Sequence, residues 1–571
     1  MATPSERLLN RMHPMRCLRA ALCVAAVSVT MTGTAGAQRA TPANLGDFDA
    51  YVAKAMKDWK VPGMAIAIVR NDSVVFAKGY GVRKLGDPTP VDPRTVFAIG
   101  SASKAFTTAA IAMLVDDGKM KWDAPVTAYL PGFQMYDLYA TRDLTVRDVL
   151  SHRSGLARGD LMWYASSFDR GEVLRRVRYL KPAWSFRANF GYQNIMYLAG
   201  GMASAAATGR DWDTLIQERI FAPLGMRDSY TSVRPLGALP NVAQPYAELD
   251  DVVTLVPYRN IDNIAPAGSI NSNVLDVAQW IRLQLGAGKF GGRQLISPAN
   301  FAQMHTPHTV IRNEPPWSLY FPEVHLQAYG LGWFLADYKG RLAVHHGGNI
   351  DGMSSLVAML PEEKMGVVVL TNMNGSLLPS VMVHRVFDDQ LKLPPTDFSG
   401  RMRVKADSLQ KLGKEALAKV ESARVRDTRP SVGLEKYAGT YSDSMYGDVA
   451  VRLQNGKLTL NYGGMSDGAL EHWHYDTFRA VWANRLLGKS MVTFVIDGAA
   501  KVAEMRIENL ADFKRAAVKA DTTVREGQGG GSTGAGFASG AHSYAVTPFL
   551  ERSPAVARGT SRSPHPAEVH P

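Results

Sequence analysis

The sequence predicts an α+β protein in which one large mixed domain precedes a small antiparallel β-barrel or sandwich. Three observations carry this. From about Leu45 to Leu391, helical and strand patterns alternate densely. Residues 392–432 then become rich in proline, lysine and glutamate. From Leu434 to about Phe513, short alternating runs recur, such as Val449-Ala450-Val451-Arg452-Leu453 and Lys457-Leu458-Thr459-Leu460. Asn455-Gly456 lies between these two runs and favours a tight hairpin. At 571 residues the chain exceeds one ordinary domain. Its 46% apolar and 20% charged residues are ample for a large core and ordinary for a globular protein.

Taken in order, residues 1–37 read as a secretory signal peptide. Arg16 and Arg19 precede an apolar run from Ala20 to Val29, and Ala35-Gly36-Ala37 supplies small residues for cleavage. Met12 or Met15 as the first residue would give a more usual length. Without an adjacent arginine pair, general secretion to the periplasm or medium is expected. The run is short for a bilayer span, and no later segment is long and apolar enough. Both cysteines, Cys17 and Cys23, fall in this segment, so the mature chain is expected to lack thiols, disulfides and a cysteine nucleophile. The net charge is +12, of which the first 37 residues contribute +3. The rest is dispersed, with no basic run interleaved with aromatics, which argues against nucleic-acid binding.

The first domain, 38–391, should open with a helix over Leu45–Trp59 and strands over Met64–Val69 and Val74–Tyr80. A helix from Ser101 to Asp117 follows. Its residues Phe106, Ala109, Ala110, Met113 and Leu114 share a face, and Gly118 stops it. Further helices are expected at Val146–Leu150, Ile195–Ala206, Trp212–Phe221 and Val274–Leu285. Strands at Leu331–Tyr338, Ser354–Leu360 and Gly366–Leu370 and a helix at Leu377–Leu391 complete it. The linker 392–432 should hold one exposed helix near Lys411–Arg424, the barrel should occupy 433–515, and a Gly-, Ser- and Pro-rich tail, 516–571, offers little to bury.

Ser101-Ala102-Ser103-Lys104 is an S-x-x-K motif at a helix start. The spacing puts hydroxyl and amine one turn apart on one face. Unpaired N–H groups and the positive helix end favour an alkoxide-like nucleophile and depress the lysine pKa, so a neutral Lys104 can take the serine proton. Alone the motif has little weight, since Ser408-Leu409-Gln410-Lys411 repeats it in the linker, where an exposed helix face accounts for it. Context raises the first copy. Phe97-Ala98-Ile99-Gly100 precedes it, and Tyr192-Gln193-Asn194 and His346-Gly347-Gly348 follow at long intervals.

With these motifs, residues 45–391 resemble the serine β-lactamase and penicillin-binding-protein superfamily, in the branch of class C β-lactamases, D,D-peptidases, D-aminopeptidases and esterases. Leu150-Ser151-His152-Arg153-Ser154-Gly155-Leu156, Pro223-Leu224-Gly225-Met226, Pro266-Ala267-Gly268-Ser269, Tyr329-Gly330-Leu331-Gly332-Trp333 and the run from Gly348 through Asp351-Gly352 to Ser355 extend it. The resemblance implies an antiparallel sheet flanked by helices, an all-helical lobe, and a lipocalin-like barrel appended. It implies Ser101 as nucleophile, Lys104 as its activator and Tyr192 as base and then acid. Asn194, His346, Gly347 and Gly348 would bind substrate, and the backbone N–H groups of Ser101 and Asn349 would form the oxyanion hole. The family pattern favours His346 over His345 as the motif histidine. Asp351 reads as a turn residue, with orientation of His346 or contact with a substrate amine as alternatives. No cofactor or metal is called for.

Two other patterns are read as structural. Gly464-Met465-Ser466-Asp467-Gly468 fits a nucleophile elbow but lacks the strand-to-helix context. His472, His474 and Asp476 would share one face of a strand, which metal binding needs, yet the flanking sequence favours a structural role. The activity implied is cleavage of esters or of peptides with D-residues, cell-wall fragments among them, by a homo-oligomer or a single chain. A true β-lactamase and a penicillin-binding sensor are the alternatives. Where β-lactamases carry a charged lysine this chain has His346, expected to titrate between about pH 6 and 8.

Overall fold

The computed structural model describes residues 47–517, except 165, 316, 395 and 463–465. The expected signal segment, and the expected tail beyond its first two residues, lie outside the described residues.

Helix α1 (Phe48–Asp58) leads into strands β1 (Gly63–Arg70), β2 (Ser73–Lys84) and β3 (Asp87–Pro90). A helical lobe follows, holding α2 (Ser103–Asp116) and α3 (Asn194–Thr208), and then α4 (Val274–Leu285). Strands β4 (Thr309–Ile311), β5 (Gln327–Tyr329), β6 (Phe334–Tyr338), β7 (Arg341–Ile350), β8 (Met353–Leu360) and β9 (Met365–Thr371) precede α5 (Leu378–Gln390). The strands form one antiparallel sheet in the order β4-β5-β6-β7-β8-β9-β1-β2-β3. Strand β1 is apolar from Met64 to Val69 because both of its faces are covered there. Ala65, Ala67 and Val69 join the core that includes Val277 and Ile281 of α4. Met64, Ile66 and Ile68 join the core that includes Val52 of α1 and Val381 of α5.

Three sequence expectations need correction. Helix α2 is buried on every side from Ser103 to Leu114 rather than along one face, because α3, neighbouring short helices and Trp280 of α4, stacked on Phe106, enclose it. The strand expected from Leu331 begins at Phe334, since Gly332 adopts a left-handed φ of +82° and packs against Ala105 of α2. Strand β7, which carries the third motif, was not among the expected strands. Its glycines and histidines break the apolar alternation that marks a strand.

The linker holds α6 (Phe398–Ser422), longer than expected. Its first turns are docked, with Phe398 and Met402 buried and the Trp59 indole donating to Ser399 Oγ (3.1 Å). The remainder is exposed, and there Ser408 Oγ only donates back to Val404 O.

Eight strands then close a barrel: β10 (Gly439–Asp443), β11 (Gly447–Gln454), β12 (Lys457–Tyr462), β13 (Ser466–His474), β14 (Thr477–Trp482), β15 (Lys489–Ile496), β16 (Val502–Ile507) and β17 (Ala511–Arg515). Asn455 and Gly456 both take left-handed φ (50° and 74°), as a two-residue hairpin of the right twist requires. The β10–β11 turn docks on the first domain, where Arg176 Nη1 donates to Ser444 O (2.9 Å) and Met445 O (3.3 Å). Of the elbow pattern, Gly464 and Met465 lie outside the described residues, and Ser466 opens a strand. His472, His474 and Asp476 do not share one strand face. An irregularity between His472 and His474 breaks the alternation, and Asp476 lies in the turn, accepting from Ser431 and Tyr437.

Candidate active site

Ser101 sits in a single 3-10 turn, Gly100–Ala102, that feeds directly into α2. Ser103 pins this start by donating to Gly100 O (2.7 Å) and accepting from Ile270 N (3.1 Å). Gly100 has φ +52°, and a Cβ there would stand 2.8 Å from Asn349 N. A Cβ on Gly348 would lie 1.8 Å from Ile99 O. Two glycines thus let the 3-10 turn lie against β7, and Ser101 and Asn349 line one pocket. Their N–H groups can therefore face a common oxygen.

Lys104 is fully buried. Its Nζ lies 2.7 Å from Asn194 Oδ1, 2.7 Å from Ala267 O and 3.0 Å from Ser101 Oγ. The first two partners are carbonyl oxygens, which only accept, and the Asn194 amide is fixed in this sense because its Nδ2 donates to Asp160 Oδ1 (2.9 Å). A neutral amine has two hydrogens and one lone pair. Two carbonyls consume the hydrogens, so the lone pair is left for the Ser101 hydroxyl. Burial, then the Arg158 guanidinium, hold this amine well below the usual lysine range, with Asp160 pulling the other way. The side chain is built as a base.

Tyr192 immediately precedes α3, whose N-cap is Gln193. The Lys104 Nζ lies 4.8 Å from the Tyr192 ring centroid and the Arg158 guanidinium carbon 5.1 Å from it. The His152 ring packs on Tyr192 at 4.2 Å, and His152 Nδ1 accepts from Gln193 N (3.1 Å). Burial is the main cause that drives the His152 pKa well below 6.5, with Lys104 and His346 adding to it. The Leu150–Leu156 block therefore buttresses Tyr192 from behind.

His346 corrects one expectation. Its ring is 1% exposed, Nε2 lies 2.9 Å from Tyr329 Oη and Nδ1 2.6 Å from Gly347 O. Gly347 O can only accept, so Nδ1 carries the proton and Tyr329 donates to Nε2. Burial first, then the nearby Lys104, depress its pKa well below 6.5, so it stays neutral across pH 6–8 instead of titrating there. Both nitrogens are engaged, and a substrate contact would have to displace one partner. His345, one residue away, stacks on Phe334 at 5.6 Å.

Asp351 is in the β7–β8 turn as expected, but it is also half of a buried ion pair. Arg259 Nε donates to Asp351 Oδ2 (2.7 Å) and the Tyr164 hydroxyl to Oδ1 (2.8 Å). Asp351 and Tyr164 help line the pocket beside Ser101, together with Trp163, Ile261 and Ile264. That pocket is small, about 60 Å³. A separate cavity of about 580 Å³, lined by Met135, Trp184 and Phe186 among others, holds no residue of the three catalytic motifs. The structure thus brings Ser101, Lys104, Tyr192, Asn194, His346 and Asn349 together. Sequence reasoning missed Ala267 O, Asp160, Arg158 and the role of His152. Two of these lie in the Pro266 and Leu150 blocks; no spacing signal marks Arg158 or Asp160.

A nucleophile at a helix start, a buried amine beside it and a sheet strand closing the pocket make up the site of a β-lactamase-fold serine hydrolase. Residues 48–385 match the family described as Beta-lactamase, and the chain belongs to that family. Residues 423–523 match a domain of unknown function (DUF3471). The chain is 32% identical over 393 residues to the unguisins hydrolase ungD of Aspergillus violaceofuscus, covering 64% of this chain and 68% of that protein. It is 28% identical over 444 residues to the unguisins hydrolase ungD' of Aspergillus campestris, covering 74% and 80%. The octameric penicillin-binding protein homologue from Pyrococcus abyssi aligns with TM-score 0.56 over 82% of this chain and 100% of that one. At 23% identity that likeness is one of fold. Among the described residues no helix is long and apolar enough to cross a membrane.

Proposed function

We propose that the chain is an exported hydrolase that forms an acyl-enzyme on Ser101 and cleaves amide bonds of peptides with D-residues, or small esters. The observation that carries this is the 3.0 Å contact of Lys104 Nζ with Ser101 Oγ, in a setting where Asn194 Oδ1 and Ala267 O take both hydrogens of a neutral amine. In the first step Lys104 takes the Ser101 proton while Oγ bonds to the substrate carbonyl carbon. The Ser101 and Asn349 N–H groups take up the charge on the carbonyl oxygen. Collapse breaks the bond to the leaving amine or alcohol, which receives a proton through Tyr192. Water then attacks the ester on Ser101, giving a proton to the same pair; the Oγ–acyl carbon bond breaks as the pair returns that proton to Ser101 Oγ, and the acid product departs. Relatives named hydrolases support turnover over a purely sensing role. Export rests on the reading of residues 1–37.

Neutral His346 favours peptides and esters over penicillins, because the third motif offers no lasting charge to a lactam carboxylate. Kinetics with nitrocefin, a p-nitrophenyl ester and D-alanine p-nitroanilide test this. The ester or the anilide should be cleaved well and nitrocefin poorly; the reverse ranking would make the chain a β-lactamase. Ser101→Ala should abolish turnover and the acyl mass increment, a loss of several orders of magnitude. Ser408→Ala should change neither. A Ser408 variant that is dead beside an active Ser101 variant would overturn the assignment.

A further inference from the structure

We propose that the pocket beside Ser101 receives the acyl side of the substrate, and that Trp163, Ile261 and Ile264 limit it to short acyl groups with about four heavy atoms or fewer beyond the carbonyl carbon. This rests on the acyl-enzyme reading of Ser101 and names the substrate class of that same site. In the tetrahedral state the substrate carbon carries Oγ, the oxygen held by the Ser101 and Asn349 N–H groups, the leaving group and the acyl substituent. The leaving group needs a proton, so it belongs beside the groups that move protons. Ser101 and Asn349 line the pocket, but neither Lys104 nor Tyr192 does. Two wall residues stand between. Asn194 meets Lys104 Nζ with Oδ1 (2.7 Å) and Asp160 with Nδ2 (2.9 Å), and the Arg158 guanidinium carbon lies 5.1 Å from the Tyr192 ring centroid. The substituent that enters the pocket is therefore the acyl one.

The walls of this pocket are held in place. Trp163, Ile261 and Ile264 are all buried. The Trp163 indole donates to Asp160 Oδ1 (2.9 Å), and Asn263 Nδ2 ties down the adjoining backbone by donating to Trp163 O (2.8 Å) and Phe168 O (3.1 Å). Ile261 lies over Gly268, where a Cβ would stand 3.3 Å from the isoleucine Cδ1. Elsewhere in the wall, the Tyr164 hydroxyl donates to Asp351 Oδ1 (2.8 Å) and Arg259 Nε to Oδ2 (2.7 Å). Asp160 Oδ2 likewise accepts from Arg158 Nε (2.5 Å), so both wall carboxylates have both oxygens engaged by the protein. A longer chain would have to break such a set to make room. A volume of about 60 Å³ holds roughly four water-sized groups. That suits acetyl or butyryl and is too little for octanoyl. Forcing extra atoms into a packed wall drives its side chains off their rotamers.

The test is kcat/KM for the p-nitrophenyl esters of acetate, butyrate and octanoate, with wild type, Ile264→Ala, Ile264→Val and Ser101→Ala. Wild type should hydrolyse acetate and butyrate at similar rates and octanoate at least about tenfold more slowly. Ile264→Ala should raise the octanoate-to-acetate ratio at least about fivefold. Should Ile264→Ala unfold, Ile264→Val, which removes one methyl group, should move the ratio the same way by a smaller factor. Octanoate turned over by wild type as fast as acetate overturns the proposal. So does a ratio that the Ile264 variants leave unmoved, whatever their absolute rates, because Ile264 would then serve only the fold. Turnover by Ser101→Ala would instead remove the underlying reading, so the two failures are distinguishable.

Discussion

Asn194 offers Lys104 an acceptor only because Asp160 claims the other end of the same amide. Asp160→Ala should let the amide rotate, so that an N–H competes for the Lys104 lone pair. Acylation measured by intact mass against time should slow at least about tenfold; an unchanged acylation rate would remove Asp160 from the chain of contacts. The buried histidines bear on stability. His152 and His346 have native pKa values depressed below the unfolded value near 6.5. Below pH 6.5 the unfolded chain binds protons that the native state refuses, so stability falls as pH falls, by up to about 1.4 kcal/mol per pH unit for each. Urea midpoints at pH 7.0 and 5.5 should show the drop, and His346→Gln should show a shallower one. Equal slopes in the two proteins would mean that His346 is not neutral in the fold. At this scale the motif residues were legible, since Ser101, Lys104, Tyr192 and His346 are chemical types at recognisable intervals. Asp160 and Arg158 were not, because an acid and a base two residues apart look like any solvated pair until the fold sets them against Asn194 and Tyr192.

At the scale of elements, the close passage of the Gly100 turn along β7 decides the site. Gly348→Ala should collide with Ile99 O, costing about 1–3 kcal/mol, and should spread Ser101 from Asn349. Thermal unfolding and covalent labelling should both report it; full labelling in a stable variant would show that the two backbones need not touch. Most helices were readable because apolar positions recur with a period near 3.6, and β8 and β9 because Leu356–Leu360 and Val367–Leu370 are unbroken apolar runs. The strand carrying the third motif was harder. Its residues are chosen for backbone approach and side-chain chemistry, not for alternating burial. The all-round burial of α2 was hidden for a related reason: Ser103, Lys104 and Thr107 are polar by type, but their partners lie on other elements. Thr107 Oγ1, for example, donates to Pro266 O at 2.7 Å.

For the whole molecule, the barrel supports one wall of the site. Met445, 8% exposed, lies against Gly159, between Arg158 and Asp160. Removing the barrel, or replacing Met445 or Tyr446 with Ala, should therefore lower kcat/KM several-fold while Tm of the first domain changes little. Identical kinetics would make the barrel a passive appendage. Truncation at residue 521 should alter neither activity nor Tm. A small antiparallel β domain was legible from alternation and from Asn455-Gly456, and the resemblance made it a barrel rather than a sandwich. Its docking was not, because Arg176 binds backbone carbonyls of Ser444 and Met445, and any sequence supplies carbonyls.

The central pairing of the sheet has a consequence for how the chain is made. Ala67 of β1 pairs with Val368 of β9, about 300 residues downstream. At roughly 5–20 residues per second, a ribosome needs on the order of 15–60 s to deliver that partner. Until then β1, apolar along both faces, has only β2 beside it, so the slow step of assembly is the arrival of its last neighbour. A nascent chain stalled or cut before Met365 would expose an unpaired apolar edge of the kind that aggregates.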